Sequence, residues 1–463
     1  MLRTSVALLA LVAVPAAASP LTPAEIAQVD KLVAKTLSDT GVPSAEIAIV
    51  RDGKLVLNKA YGKANEGLPA NPALPYQIAS NSKQFTAMAL LLLEDDGKLD
   101  LDDHVSKYIP GITGGDRITI RQLLSHTAGL QDFWPQDYMF TDMTVPATPQ
   151  HIVDKWAKKP LDFEPGTRWQ YSNTGYVVAG MIAEKVSGMP LMTYLGRKIF
   201  KPLGMTSVRN LDDTNTRAFP AGYHRAGLGP VRIAQPAARG WLYAAGELSM
   251  TAADLAKWDI ARMNRVVIPA SDWAEQENPV LRTDGRSNGY GLGVFNHDVR
   301  DRHVIDHGGE AVGFLTANAV YPDTKDAIVV FTNADFSGAT GTLTEGIEKI
   351  ILNSPEPALA SEGNRLADVA ATYAAFASGK LDRSKLTPNL NYYFSATTLL
   401  DYSSSLAPLG KPKIEMKRAP RLRGGFVNRN YTLHYAGGKD LTLVTYAEPG
   451  ANGRWEQFMI MPE

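Results

Sequence analysis

Ser80 and Lys83 are the first residues in this chain whose types and spacing could do chemistry. They open the stretch IASNSKQFTAMALLLLEDDGKL at residues 78–99, in which Phe85 and residues 88–93 are apolar nearly all round. This pattern predicts a central, buried helix. Because residues three apart lie one turn along the same side of a helix, the Lys83 amine is expected beside the Ser80 hydroxyl.

A serine and a lysine in contact are suited to covalent catalysis. A serine hydroxyl is a weak nucleophile until a base takes its proton, and a lysine is such a base when burial or another cation lowers its pKa. The positive end of the helix, near Ser80, also favours an anion. The alternative is a helix cap followed by a solvent-facing lysine, and Ser-x-x-Lys alone does not separate the two interpretations.

A second group of polar residues, Tyr171-Ser172-Asn173, stands just before a predicted helix in PGTRWQYSNTGYVVAG. Residues two apart in an extended segment point the same way, so Tyr171 and Asn173 are both expected to face one cleft. A phenol between Ser80 and Lys83 could shuttle protons. An asparagine could bind a substrate amide or hold the lysine.

A third group is the run from His307 through Gly308 and Gly309 to Glu310, on a strand predicted at HVIDHGG. Paired glycines on a strand let another backbone approach closely. The backbone expected here is that of a substrate lying along the strand edge.

The elements that must position these groups read as an α+β domain. A helix, EIAQVDKLVAKTLSDTG, is predicted to end at Gly41, and AEIAIVRDGKLVLNKAYG is predicted to form a hairpin around Asp52-Gly53. Near residue 303 strands return as HVIDHGG, FLTANAVYP and DAIVVFTNAD, followed by the helix TLTEGIEKIILN. The simplest packing joins the terminal strands in one antiparallel sheet, beside a helical lobe formed by residues 65–300. A cleft between them is the expected site.

Both ends of the chain carry segments outside this domain. Residues 1–18, within MLRTSVALLALVAVPAAASP, read as a secretory signal peptide with an apolar run too short to span a bilayer; an uncleaved anchor is the alternative. Residues 354–363 read as a linker. Residues 364–463 show helical stretches and then four strand-like runs, which predicts a small α+β domain.

Composition narrows the class of protein. The 463 residues are 44% hydrophobic and carry a formal net charge of −1, and no basic patch typical of nucleic-acid binding is visible. The chain has no cysteine, which excludes disulfides and lipid-modified cysteines. Together with the leader, this predicts a soluble periplasmic or secreted protein.

With the three groups in order, the sequence resembles the serine β-lactamase and penicillin-binding superfamily over residues 22–353. It is most similar to the class C β-lactamase branch with its esterases, D-aminopeptidases and D-Ala-D-Ala carboxypeptidases. The supporting stretches are LDLDDHVSKYIPGI, ITIRQLLSHTAGL, PLGMTSV, LSMTAADLAKW, GYGLGV and FTNAD. The C-terminal segment looks like cone-shaped folds of the cystatin or nuclear-transport-factor type.

The resemblance implies a role for each group. Ser80 would form an acyl-enzyme, Lys83 and Tyr171 would share general-base and general-acid duty, and Asn173 would position the substrate. The backbone N–H groups of Ser80 and Glu310 would form the oxyanion hole. No cofactor or metal is implied. The substrate would be a small molecule or peptide, with cell-wall fragments among the candidates.

One departure from the family concerns His307-Gly308, which stands where many lactamases have Lys-Thr. The fixed cation becomes a titrating imidazole, and a charged carboxylate contact worth on the order of 1.5–3 kcal/mol is lost. We therefore expect weak β-lactamase activity and favour an esterase or peptidase. His307 is expected to act as a weaker carboxylate partner or as a proton carrier.

Two other functions remain open at this stage. A penicillin- or peptidoglycan-fragment-binding sensor without turnover would fit the unusual triplet and the appended domain. A metallohydrolase fits less well, because His303 and His307 would lie roughly 13 Å apart on a strand and could not share a zinc ion with His297.

Several residues resemble site residues without the expected context. Ser287 stands in a Gly-x-Ser-x-Gly run, but turn-rich sequence surrounds it where a nucleophile elbow needs a strand and a helix. His126 is expected to order a loop near the cleft, and His104 to sit on a solvated turn. Trp134 and Tyr138 are expected to line the pocket.

Overall fold

The computed structural model describes residues 20–136, 138–213, 219–299, 302–352, 363, 365–423 and 425–462. It divides into two compact units, with the boundary after Leu352. The predicted signal peptide lies outside the described residues, as does all of the predicted linker except Gly363. Within the part described, none of the helices combines the length and hydropathy of a membrane span.

The first unit contains ten α-helices and twelve strands within its described residues. Its helices are α1 (Pro23–Thr40), α2 (Lys83–Asp95), α3 (Ile120–Leu124), α4 (Pro149–Ile152), α5 (Asn173–Ser187), α6 (Leu191–Leu195), α7 (Tyr243–Gly246), α8 (Ala252–Asn264), α9 (Ala270–Glu277) and α10 (Ala339–Ile351). Its strands are β1 (Ser44–Arg51), β2 (Lys54–Asn65), β3 (Leu68–Pro69), β4 (Tyr76–Gln77), β5 (Arg209–Asn210), β6 (Tyr223–His224), β7 (Arg232–Ile233), β8 (Leu248–Met250), β9 (Phe295–Val299), β10 (Arg302–Ala311), β11 (Phe314–Tyr321) and β12 (Asp326–Thr332).

The terminal strands form one seven-stranded sheet in the order β3-β2-β1-β12-β11-β10-β9. Adjacent strands in this sheet are antiparallel. This confirms the predicted sheet. The hairpin between β1 and β2 turns at Asp52 (φ 50°) and Gly53 (φ 73°), and two positive φ values are typical of the tight turn that matches the twist of the strands. Helix α1 ends at Gly41 (φ 75°) as predicted.

Both faces of this sheet are covered. Side chains alternate along β1, so that Ile47 and Ile49 pack with α1 and α10 in one cluster. Ala48 and Val50 join the larger cluster that includes α2 and α8. Helix α2 is buried from Lys83 to Leu93, which confirms the central helix predicted from its apolar surface.

Within its described residues, the second unit contains three α-helices followed by four strands: α11 (Leu366–Ser378), α12 (Pro388–Tyr393), α13 (Ala396–Leu406), β13 (Lys413–Arg423), β14 (Phe426–His434), β15 (Asp440–Ala447) and β16 (Trp455–Pro462). The strands form an antiparallel meander in chain order. A separate core, which includes Phe376, Tyr431 and Trp455, holds helices and sheet together. The predicted small α+β domain is confirmed.

Candidate active site

Ser80 lies in a 3-10 turn, Ala79–Ser82, directly before α2. The turn is fixed against the sheet: Asn81 Nδ2 donates to Thr316 Oγ1 over 2.9 Å, and that hydroxyl donates to the Ile78 carbonyl over 3.0 Å. Ala79 has φ 48°, a left-handed conformation that is uncommon for a residue with a side chain. Strain of this kind persists where the surroundings hold it, often at a functional site.

Gly309 permits the sheet to approach this turn. A Cβ atom on Gly309 would lie 2.2 Å from the Ile78 carbonyl oxygen and 2.2 Å from Thr316 Oγ1. The glycine expected to admit a substrate backbone therefore also admits the turn that carries the nucleophile.

Lys83 lies beneath Ser80 and is fully buried. Its Nζ is 3.0 Å from Ser80 Oγ, 2.8 Å from Asn173 Oδ1 and 2.8 Å from the Ala245 carbonyl oxygen. All three partners are neutral oxygens. Burial lowers the pKa of Lys83 from 10.5 to about 7, and the more distant Asp132 carboxylate partly opposes that shift.

These contacts fix how a neutral Lys83 is oriented. The Asn173 and Ala245 carbonyl oxygens can only accept, so they take the two N–H groups of the free amine. The amine lone pair is then directed at the Ser80 hydroxyl. Asn173 was expected either to bind a substrate amide or to hold Lys83, and the structure shows its contact with Lys83.

Tyr171 completes the group around the nucleophile. Its ring centroid is 4.8 Å from Lys83 Nζ, and burial raises the pKa of the phenol although a hydrogen bond with Ser80 opposes the shift. Tyr171 is therefore protonated at neutral pH and can act as a proton donor.

The cleft above these residues has a volume of about 710 Å³. Its walls include seven of the eight residues singled out from the sequence, while Lys83 lies below the floor; the seven are Ser80, Tyr171, Asn173, His307, Gly308, Gly309 and Glu310. The structure thus brings all three motifs together. The oxyanion-hole role of the Ser80 and Glu310 N–H groups stays a prediction.

His307 has a hydrogen-bond partner at each of its ring nitrogens. Its Nε2 is 3.0 Å from the Tyr290 hydroxyl and its Nδ1 is 2.5 Å from the Gly308 carbonyl oxygen. Burial and the nearby Lys83 charge lower the pKa of His307 to about 4. The ring is neutral at pH 7 and both nitrogens are engaged within the protein, which leaves no cation there to hold a carboxylate.

Two residues of the site were missed in the sequence. Asp132 accepts hydrogen bonds from the Asn173 backbone N–H (3.0 Å) and side-chain amide (3.2 Å), so it orients the amide that holds Lys83. Tyr290 contacts both His126 and His307. The sequence signal was that Asp132 follows the family stretch ITIRQLLSHTAGL by two residues and that Tyr290 lies within the family stretch GYGLGV.

The other candidates fall into three groups. Trp134 lines the cleft, but Tyr138 does not; its side chain is 68% exposed, so that prediction was wrong. Ser287 lies in a turn segment, without a following helix. Among the described residues, no cluster of histidine and acidic side chains is arranged to hold a metal ion.

Ser80 and Tyr171 at the cleft, with the buried Lys83 beside them, form an arrangement suited to acyl transfer through a serine. Comparison with known proteins agrees: the family model described as Beta-lactamase matches residues 29–348, so the chain belongs to the β-lactamase family.

Individual relatives share less than a third of their aligned residues with this chain. Protein flp of Staphylococcus aureus (strain N315) is 29% identical over 338 residues, 70% of this chain but only 66%, just under two thirds, of that protein. A D-stereospecific amidohydrolase from Streptomyces sp. superposes with a TM-score of 0.62 at 28% identity, covering 71% of this chain and 99% of that one. A penicillin binding protein from Bacillus halodurans gives 0.60 at 25% identity, covering 69% and 99%.

Proposed function

We propose that this protein is an exported serine hydrolase that cleaves amide or ester bonds through an acyl-enzyme at Ser80, with D-amino-acid amides and peptides as its preferred substrates. The observation that carries the proposal is the 3.0 Å contact between Ser80 Oγ and a buried Lys83 whose pKa is lowered to about 7. The similarity to a D-stereospecific amidohydrolase supports the substrate class.

The proposed reaction has two halves. Ser80 Oγ attacks the substrate carbonyl carbon while its proton passes to the Lys83 lone pair. The tetrahedral intermediate collapses, the carbon–nitrogen or carbon–oxygen bond breaks, and Tyr171 or the Lys83 ammonium protonates the leaving group. Water then attacks the acyl carbonyl and gives its proton back through the same residues, which frees Ser80 and releases the acid.

The charge of the cleft favours amides and esters over penicillins. Among the described residues that line it, none is lysine or arginine, whereas Asp132, Glu310 and Asp335 are present. A substrate carboxylate would meet this acidic wall and a neutral His307. We therefore expect slow acylation by β-lactams.

The test is intact-mass analysis after reaction with a fluorophosphonate probe, followed by hydrolysis assays with D- and L-phenylalanine amide. We expect one adduct on the wild type and none on Ser80→Ala. Ser287→Ala is the matched control, since it removes a partly buried hydroxyl that accepts from the Gly289 N–H, and it should react like the wild type. Labelling of Ser80→Ala would contradict the acyl-enzyme at Ser80. Equal rates for the D- and L-amides would contradict the preference for D-amino-acid substrates.

A penicillin-binding sensor is the second candidate, supported by the similarity to a penicillin binding protein. It predicts an acyl adduct with benzylpenicillin that persists for hours without released product. Multiple turnovers of any ester or amide would exclude it.

Export is also part of the proposal and rests on residues 1–18. The intact mass of the protein recovered from the extracellular or periplasmic fraction should correspond to a chain that begins after Ala18. A full-length mass would favour the uncleaved anchor.

A further inference from the structure

Four hydrogen bonds in series join the Tyr-Ser-Asn motif to the His-Gly-Gly triplet beneath the cleft. The Ser172 N–H lies 3.1 Å from His126 Nδ1, and His126 Nε2 lies 3.2 Å from the Tyr290 hydroxyl. That hydroxyl is 3.0 Å from His307 Nε2, and His307 Nδ1 is 2.5 Å from the Gly308 carbonyl oxygen. The three side chains are at most 5% exposed.

The two ends of this series fix the direction of every bond in it. A backbone N–H only donates, so His126 Nδ1 accepts and the proton of a neutral ring sits on Nε2. A carbonyl oxygen only accepts, so His307 Nδ1 carries the proton and its Nε2 accepts. The Tyr290 hydroxyl then receives a hydrogen bond from His126 and donates its own to His307. With both rings neutral, this assignment gives every ring nitrogen a partner. The Tyr290 hydroxyl also lies within hydrogen-bond reach of the Tyr176 hydroxyl, which donates its own proton to the Leu124 carbonyl oxygen.

The surroundings keep both rings neutral. Lys83 is the cation that faces them, and it lowers the pKa of each imidazole in addition to the effect of burial. The remaining titratable groups against His126 are the Tyr171 and Tyr176 rings, at centroid distances of 4.2 and 5.3 Å. A proton added to His126 Nδ1 would also set two donors, ring and backbone, against each other.

We propose that Tyr290 and His126 are positioning residues for the reaction at Ser80. They fix the tautomer of His307 and hold the segment that carries Tyr171 at a set distance from strand β10, which carries Gly309. The His126 ring contacts the Tyr171 ring at a centroid distance of 4.2 Å with the planes tilted by 35°, and the His126 backbone is held at φ 61°, so His126 limits the position of the phenol. This inference rests on the proposed function.

The first test reads the tautomers directly in the unmodified protein. Long-range proton–nitrogen spectra of the full chain with labelled histidine should show His126 protonated at Nε2 and His307 at Nδ1, unchanged from pH 6 to pH 8. The eight histidines are assigned by single His→Gln variants. The opposite tautomer at either ring, or titration near pH 6.5, would overturn the proposal.

The second test removes one hydroxyl. Tyr290→Phe should slow acylation of Ser80 by the fluorophosphonate probe by about 10-fold to 100-fold at saturating probe, because small misplacements of reacting groups cost rates of that order. The probe concentration for half-maximal rate should change little. A folded Tyr290→Phe variant with a rate within twofold of wild type would contradict the proposal.

Tyr435→Phe is the matched control. Its buried hydroxyl donates to the Tyr373 hydroxyl over 3.1 Å within the second unit, so it also loses one hydrogen-bonded phenol. Its acylation rate should equal that of wild type. If wild-type Ser80 does not react with the probe, the proposed function fails, whereas the histidine spectra still decide the direction of the hydrogen bonds.

Discussion

Two buried basic side chains, Lys83 below the cleft and Arg262 on helix α8, have different functions although both are removed from solvent. Arg262 is 1% exposed and Lys83 is 0% exposed. Arg262 is paired with the Glu277 carboxylate over 3.1 Å, and it also donates to the side-chain oxygens of Gln276 and Gln84. Among the described residues, the hydrogen-bond partners of Lys83 are three neutral oxygens.

The difference lies in what compensates the lost hydration of the charge. A carboxylate partner keeps a buried cation charged, and removing either partner is costly. Without such a partner, a lysine releases its proton near neutral pH. Arg262 therefore stabilises the packing of α2, α8 and α9, whereas Lys83 becomes a base.

Replacing Lys83 is expected to have the largest effect. Lys83→Met keeps the length of the side chain and removes the base, so acylation of Ser80 should slow by about 10²-fold to 10⁴-fold. The measurement is the rate of adduct formation by mass spectrometry. Lys185→Met is the control, because the Lys185 amine also donates to a carbonyl oxygen, that of Tyr108. An equal loss of acylation rate in both variants would show that Lys83 has no special role as a base.

Replacing Arg262 should affect folding instead. Arg262→Met leaves Glu277 partly unpaired and removes a donor from the side-chain oxygens of Gln276 and Gln84, of which Gln84 keeps the Trp258 indole N–H. This should lower the free energy of unfolding by about 3 kcal/mol. Arg121→Met removes a more exposed pair with Asp102 and Glu275 and should cost less than about 1 kcal/mol. Denaturant unfolding measures the free energy of unfolding of both variants. Similar losses would contradict the structural role assigned to the buried Arg262.

The pH dependence of acylation should follow Lys83. Below pH 7 the rate should rise about tenfold per pH unit as the amine loses its proton, and it should level above the pKa of about 7. Asp132 raises that pKa, so Asp132→Asn should move the midpoint to lower pH. Asp335→Asn, a carboxylate elsewhere in the same cleft, should leave the midpoint in place, and a shift with Asp335→Asn alone would point to another base.

A further prediction concerns how the stability of the fold depends on pH. The pKa of Lys83 is depressed from 10.5 to about 7 on folding, so between these values the unfolded chain binds more protons than the folded one. Stability must therefore rise with pH across that window. Lys83→Met should lack this rise, and parallel stability curves for the two proteins from pH 7 to pH 10 would contradict the depressed pKa.

The sequence was sufficient for the parts of the site that depend on local geometry. The contact between Ser80 and Lys83 follows from three-residue helical spacing and an apolar helix, and the hairpin at Asp52-Gly53 follows from turn chemistry. The small C-terminal domain followed in the same way from helices and alternating strands. Tyr138 was misplaced because an aromatic residue in a loop has no periodicity to orient it.

What only the tertiary structure decided was the environment of each group. The 3.0 Å contact of Ser80 and Lys83 joins neighbours in sequence, but the 2.8 Å contact of Lys83 with Asn173 joins residues 90 positions apart. The neutral state of His307 likewise depends on Tyr290 and on burial. A sequence states which groups can ionise; their pKa values depend on hydration and on neighbours brought together by folding, and these exist only once the chain has packed.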